Sequence, residues 1–423
     1  MSRGAGGGTR TSPMTIRVLT HSPPAPGISG DRIRTFHLVR ELRRRGWSVR
    51  LWSLVADDEP AGFRDALDEI ADEVVLVPRR RSTARRLFQV ALDTISGRAF
   101  QANWFRSRAT QRAAADWLHD TEAEPLLVQQ LYMYSFVPPQ FLGQVLLDTH
   151  NNETARLVAM SRGEAGLMRR TAARLQVDAV GRYEQAALKS VASVLAVSPD
   201  EASAFEPFAP GRVHVVPNGV DVGEILPMSS PPASRQMLYV GSMGYSANRD
   251  AVRYACEAIA PLLRGSGASL TVVGSGATRE VLKTTSRAEI PVTVTGFVPD
   301  LAPHIAASRV MVVPLRHGAG TRLKILEGLA WGLPIVTTSL GCAGLDVINR
   351  VHVLIADDPR SFADAVESIL GDDGLWRRLS YAGRALVEER YAWERIGDSM
   401  DAAARELVPA VNGAVGAGAH LPR

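Results

Sequence analysis

Val310-Met-Val-Val-Pro-Leu-Arg-His-Gly-Ala-Gly-Thr-Arg-Leu-Lys-Ile-Leu-Glu327 reads as a buried strand, a glycine turn and an apolar helix in immediate succession. The apolar run ends at Pro314, and the turn that follows is where an open α/β sheet presents a ligand site. Gly318 and Gly320 allow a tight turn with exposed amide N–H groups, and Thr321 stands where an N-cap belongs. The helix is therefore expected from Arg322. Arg322 and Lys324 then occupy its first turn, where the macrodipole disfavours cations by about 0.3–1 kcal/mol each. An anion bound there removes that penalty. Free amides, a forked guanidinium and a compact ammonium form a receptor for a phosphate or diphosphate. Glu327 falls among Leu323, Ile325, Leu326, Leu329 and Ala330, so its carboxylate is expected to be shielded from water and to need donors. Two ribose hydroxyls beside a diphosphate would supply them, as would a salt bridge to Arg322 or Lys324.

Outward from this unit, short runs of Val, Ile and Leu alternate with amphipathic stretches, the pattern of parallel sheets with crossover helices. Strands are expected near Thr15–Thr20, Ser48–Val55, Glu73–Val77, Leu126–Gln130, Val145–Asp148, Ser193–Val197 and Val213–Val216. A proline- and serine-rich segment, 222–235, reads as a linker, and a second series follows at Gln236–Gly241, Leu270–Val273, Val292–Thr295, Val310–Pro314, Pro334–Thr337 and His352–Ile355. The expected organisation is a disordered extension at 1–13, a Rossmann-like domain at 14–221 and a second at 236–392. A C-terminal helix within 393–410 would cross back toward the first domain, ahead of a flexible tail at 411–423. Ser198, Pro199 and Glu201 mark a helix start with the spacing of a capping box.

Composition sets the bounds. Apolar residues make up 46% of the 423 and charged residues 22%, which suits a globular chain of two or three domains. The formal charge of +4 is mild at this length and does not call for nucleic acid. Two cysteines, Cys256 and Cys342, are too few for a disulfide framework or a cysteine zinc site. The first 13 residues hold no apolar run, so no secretory signal is read, and no stretch is long and apolar enough to span a membrane. A cytoplasmic chain is expected. Lysine is scarce: of 48 basic residues only Lys189, Lys283 and Lys324 are lysines. No P-loop, His-Glu-x-x-His, serine elbow or Asp-x-Asp is present, and Gly274-Ser-Gly-Ala-Thr-Arg279 lacks the third glycine of a dinucleotide fingerprint.

These residues carry a resemblance. The chain resembles GT-B glycosyltransferases of the large retaining group often called family 4 (glycosyl transferases group 1), in the branch with Gly-Thr-Arg-Leu-Lys-Ile-Leu-Glu. Further matching blocks are Gly30-Asp-Arg-Ile-Arg34, Asp148-Thr-His-Asn151, Val216-Pro-Asn-Gly-Val-Asp221, Tyr239-Val-Gly-Ser-Met243, Gly296-Phe-Val-Pro-Asp300 and Gly341 to Leu345. The resemblance implies a GT-B fold, two doubly wound Rossmann-like domains facing across a cleft. It further implies a nucleotide-sugar donor on the second domain, with Arg322 and Lys324 at the diphosphate, Glu327 at the ribose and Gly296, Phe297 and Val298 near the nucleobase. The acceptor would lie on the first domain. Two departures stand out: Ala319 occupies a position where many relatives carry a donor-contacting Glu, and Ser242, Tyr245 and Asn248 follow a strand after which many relatives carry Arg and Lys. Sugar contacts are then expected from the amides of Gly318 and Gly320.

In the first domain Gly30 and Arg34 open a helix after the first strand, with basic residues against the dipole, and are read as a substrate-binding loop. His150, just past Asp148, is read as projecting into the cleft to hold a sugar hydroxyl or position the acceptor, with a hydrogen-bonded turn as the alternative. Tyr132, Tyr134 and Phe136 either line the acceptor site or pack in the core. Arg79, Arg80, Arg81, Arg85 and Arg86, with Leu87, Phe88 and Val90 behind them, either form a solvated helix face or suit peripheral contact with the inner face of a membrane, as a lipid-linked acceptor would require. The expected activity is transfer of a sugar to a hydroxyl, with the retention that the resemblance implies. Arg322, Lys324 and helix amides stabilise the departing diphosphate, which takes the acceptor proton, and no metal or other cofactor is required. A non-catalytic nucleotide-sugar binding partner and a nucleotide-sugar epimerase are the rival readings.

Overall fold

The computed structural model describes residues 14–25, 29–59, 62–79, 83–119, 124–162, 167–318 and 323–408. The expected extension 1–13 and tail 411–423 lie outside them. Two all-parallel sheets organise the chain. The first comprises β1 (Thr15–Thr20), β2 (Ser48–Val55), β3 (Glu73–Pro78), β4 (Leu126–Gln129), β5 (Val145–Asp148), β6 (Ser193–Ala196) and β7 (Val213–Val215), in the order β3-β2-β1-β4-β5-β6-β7. The second comprises β8 (Gln236–Val240), β9 (Ser269–Val273), β10 (Val292–Gly296), β11 (Val310–Val313), β12 (Ile335–Thr337) and β13 (Leu354–Ile355), in the order β10-β9-β8-β11-β12-β13.

Helices cover both faces of each sheet, which is why the central strands carry unbroken apolar runs rather than an alternation. Every residue of β4, β5, β6 and β11 is buried. Each sheet grows outward in one direction and then reverses, so β1 lies beside β4 and β8 beside β11. At such reversals the flanking helices leave to opposite faces, and a crevice opens at the carboxyl ends of the two strands.

The Ser198 hydroxyl caps the helix Pro199–Phe205 by accepting from Glu201 N at 3.3 Å. Glu201 does not close a box on its own cap; its carboxylate instead takes the amides of Val197 and Asn152 and so ties together the loops after β6 and β5.

The helix Trp393–Arg405 lies against the helix Gly30–Arg44 of the first domain. Its Ile396, Met400, Ala403 and Ala404 enter the same core as Phe36, Val39 and Trp47. The Trp393 ring stacks on His37 at 4.7 Å and 4°, and Trp47 Nε1 donates to Asp401 at 2.6 Å. A backbone bridge between Val220 and Ala392 holds the chain together at the crossing point. Among the described residues no helix is long and apolar enough to cross a membrane.

Candidate active site

The helix Leu323–Ala330 follows β11 at the reversal of the second sheet. Its roll is fixed by burial of Ile325, Leu326, Leu329 and Ala330, which leaves Lys324 and Glu327, one turn apart, near the crevice. The Lys324 ammonium lies 3.0 Å from Asn248 Oδ1 and 3.3 Å from the Tyr239 hydroxyl, and 4.6 Å from the centre of the Tyr239 ring. Tyr239 in turn donates to Asn248 Oδ1 at 2.8 Å, and Asn248 Nδ2 donates to the Ser242 carbonyl at 2.8 Å. Asn248, expected to weaken a phosphate site by its lack of charge, thus forms part of the bed on which Lys324 rests. Gly241 makes this possible: a Cβ there would come within 2.8 Å of both Lys324 Nζ and Asn248 Nδ2.

Glu327 is partly buried, and no described side chain hydrogen-bonds its carboxylate. Loss of water pushes its carboxyl above the usual range, with Lys324 pulling the other way. Gly318 adopts φ 115°, a conformation that a side chain would strain. The strand-to-loop entry is anchored by Asp250, which accepts from Arg316 at 2.5 and 3.1 Å and from Arg253 at 2.6 Å. Burial alone would raise the Asp250 carboxyl, but these bonds hold it below its ordinary value. Ala319, Gly320, Thr321 and Arg322 lie outside the described residues.

Gly296 closes β10 and accepts from Gly274 N at 2.9 Å, which sets the Phe297 loop beside the turn after β9. The Phe297 ring is 75% exposed there, while Val298 packs on the domain core. The structure thus brings Lys324 and Glu327 together on one helix and places Phe297 in the loop after the outer strand β10, two strands from β8.

Across the cleft, the helix Gly30–Arg44 begins where Leu323 begins its own helix: a Cβ on Gly30 would stand 3.1 Å from Leu323 Cδ1. Two helix N-termini, each with its positive end, therefore converge on one region from opposite domains. Asp31 lies in the first turn of the first of these helices, 3.3 Å from His21 Nε2. Burial opposes its ionisation, yet His21 and Ser29 hold its carboxyl well below the usual range.

Arg34, expected in a substrate-binding loop, is instead buried within the first domain. It is 1% exposed, and its guanidinium is spent inside the domain, bonding Asp148 at 2.9 Å through both Nε and Nη2, Val216 O and Pro217 O at 2.8 Å and Asn218 Oδ1 at 3.2 Å. Burial would raise the Asp148 carboxyl, and Arg34 with His150 drives it far down instead. Arg34 is the strut that joins the helix Gly30–Arg44 to the ends of β5 and β7.

His150 is buried and sits at φ 60°, beside Gln130 at φ 69°. Its Nε2 lies 2.5 Å from Gln129 Oε1 and 3.3 Å from Asp148, and its Nδ1 lies 3.4 Å from Gln130 Nε2. It is a bracket across the ends of β4 and β5 rather than a side chain standing free in the cleft. Of the aromatic run, Phe136 is core and Tyr134 bonds Ser190 at 2.8 Å, whereas the half-buried Tyr132 ring packs beside Phe105 and His21. Sequence reasoning missed His21, Tyr239 and the Gln129–Gln130 pair. Their signal was simple: His21 and Gln130 each stand first beyond a central strand.

The two facing parallel-sheet domains are a GT-B fold. The solved sucrose-phosphate synthase of Thermosynechococcus elongatus superposes with TM-score 0.68 at 20% identity, over 94% of this chain and all of that one. Anabaena Alr3699/HepE, solved with UDP-glucose, superposes with TM-score 0.60 at 14% identity over 93% of this chain and all of its own. Residues 234–372 match the family model described as Glycosyl transferases group 1. Among curated proteins the chain is similar to glycogen synthase of Mycobacterium tuberculosis, 29% identical over 205 residues, or 45% of this chain and 48% of that protein. It is also similar to D-inositol 3-phosphate glycosyltransferase of Xylanimonas cellulosilytica, 26% identical over 215 residues and half of that protein. These matches span about half the length of the curated relatives.

Proposed function

We propose that this chain is a glycosyltransferase that moves a sugar from a nucleotide-diphosphate sugar to a hydroxyl acceptor, a glycan, lipid-linked saccharide or natural-product aglycone, with retention of anomeric configuration. The observation that carries the reading is the placement of Lys324 and Glu327 at the mouth of the β8/β11 crevice, where two helix N-termini converge. That crevice lies within the segment matched by the family model.

In this reading the diphosphate lies against the helix amides and the Lys324 ammonium, with Arg322 completing the cationic set. The ribose hydroxyls donate to the Glu327 carboxylate and replace the water it has lost. The bond from the anomeric carbon to the phosphate oxygen breaks while the acceptor oxygen bonds the same face of that carbon. The acceptor proton passes to the departing phosphate oxygen. Charge develops on the diphosphate as it leaves, where the ammonium and amides stabilise it most strongly, so their effect falls on the transition state. The scheme uses side-chain and backbone groups throughout, and a chelator should leave the rate unchanged.

The test is thermal stabilisation by UDP, GDP, ADP, CDP and dTDP on wild type and on Lys324→Ala, followed by transfer assays with the matching donors. Uridine donors come first because HepE was solved with UDP-glucose. One diphosphate is expected to raise the wild-type Tm by mass action and to lose most of that effect in the variant. No stabilisation of wild type by any of the five at millimolar concentration overturns the donor reading. Donor turnover without any acceptor would favour an epimerase, and binding without transfer or hydrolysis a non-catalytic partner.

A further inference from the structure

The helix Thr83–Ile95 is built inside out. Gln89, Asp93 and Thr94 face the protein: Asp93 is 2% exposed and accepts from Gln89 and Asn103 at 3.0 Å, and Thr94 accepts from Gln176 at 2.9 Å. The opposite face is apolar and lies in solvent. Leu87 is 64% exposed, Phe88 66%, Leu92 41% and Ile95 84%, with Ala91 exposed between them. At 100° per residue these five positions fall within an arc of roughly 140°. Leu175, on the adjoining helix Leu167–Ser190 that carries Gln176, is also exposed. Single exposed apolar residues are ordinary, but a continuous helical stripe of them marks a surface that is covered in use.

Charge identifies the cover. Besides Arg79, whose guanidinium lies over the Phe105 ring, the sequence from there to Arg98 carries five arginines, Arg80, Arg81, Arg85, Arg86 and Arg98, the side chains of the first four lying outside the described residues, and one acidic residue, the inward-facing Asp93. A second copy related by a two-fold axis would bring like charges together. An anionic surface with an apolar interior satisfies both features at once. We propose that this face docks on an anionic lipid bilayer, with Leu87, Phe88, Leu92 and Ile95 seated at the headgroup boundary and the arginines paired with lipid phosphates. The helix starts just beyond the carboxyl end of β3, the end of the sheet at which the candidate active site lies. The proposal stands apart from the donor reading, because it rests on a surface and not on the crevice.

The test is co-sedimentation of the full chain with vesicles of phosphatidylcholine and phosphatidylglycerol in equal amounts, and with pure phosphatidylcholine. Wild type is expected to pellet with the anionic vesicles, less so at high salt, and to stay in solution with the neutral ones. Leu87→Ser combined with Phe88→Ser and Ile95→Ser should lower the partition coefficient about tenfold or more at unchanged Tm. Arg85→Glu with Arg86→Glu should lower it roughly fivefold per residue. Absence of wild-type pelleting with anionic vesicles overturns the proposal, as does equal pelleting of the triple variant. A dimer in solution that the triple-serine variant dissociates overturns it also, by assigning the face to a second copy.

Discussion

The contact between His37 and Trp393 predicts an acid-sensitive latch between the domains. His37 lies on the helix Gly30–Arg44 and stacks flat on Trp393, the first residue of the helix that returns from the second domain. Burial first, and then Arg40, pushes the His37 imidazole down to about 3. The folded chain therefore keeps this ring neutral while the opened chain titrates near the ordinary 6.5. As pH falls below 6.5 the open form binds a proton that the closed form refuses, so stability is lost on the acid side until the folded value is reached. Between pH 7 and pH 5 the loss is about 2 kcal/mol, roughly a 30-fold rise in the open population; any folded value below about 4 gives the same figure. Hydrogen exchange of the amides in Trp393–Arg405, corrected for intrinsic rates, reads that population directly. His37→Phe keeps the stack and removes the proton, so its corrected exchange should lack this acceleration between the two pH values. Equal acceleration in wild type and variant would refute the reasoning and place the acid sensitivity elsewhere.

Asp148→Asn should destabilise the first domain by about 3–5 kcal/mol in urea unfolding, because the buried Arg34 would lose the carboxylate it is paired with. Gly241→Ala should leave the fold intact but displace Lys324, seen as a lost Tm shift with nucleoside diphosphates while the ligand-free Tm moves little. Glu327→Gln should move two readouts in opposite directions. The ligand-free Tm rises or holds at pH 7, because desolvation opposes the charged form, while diphosphate affinity falls about 10- to 100-fold with loss of the charged acceptor. A falling Tm with unchanged affinity would assign Glu327 to structure alone.

The fold was legible because its signal is local. Strands covered on both faces are mostly apolar, and each of the thirteen expected strands begins and ends within two residues of the observed one. β13 shortens most, from an expected His352–Ile355 to Leu354–Ile355, because Arg350 at φ 65° bonds back to Val353 and takes the start of the strand into a turn. The helix that carries Lys324 and Glu327 was legible for a similar reason: a helix start after a glycine turn is read within a dozen residues. What failed was long-range. His150, two residues past β5, is held by Asp148 and by Gln129 and Gln130 at the neighbouring strand end, the hydrogen-bonded alternative, whereas the partners of Arg34, on the helix after β1, lie far along the chain. Arg34 reaches Asp148, Val216, Pro217 and Asn218, more than a hundred residues away. Only the order of the strands brings β5 and β7 within its reach.

The same distinction explains the departure at Asn248. Read along the chain, the loss of basic residues after β8 weakens a phosphate site. In the folded protein Asn248 and Tyr239 supply oxygen acceptors to the ammonium of Lys324 and hold it against the strand end. A second cation at position 248 would repel that ammonium at about 3 Å and leave it no acceptor from that side chain. The neutral amide thus trades one charge for the fixed position of another. On the proposed reaction the gain is largest in the transition state, because a cation held toward the leaving diphosphate would cost no reorganisation when charge develops there. Asn248→Lys separates the two accounts. Summed charge alone predicts tighter diphosphate binding, whereas positioning predicts a lower kcat from a Lys324 pushed off its bed.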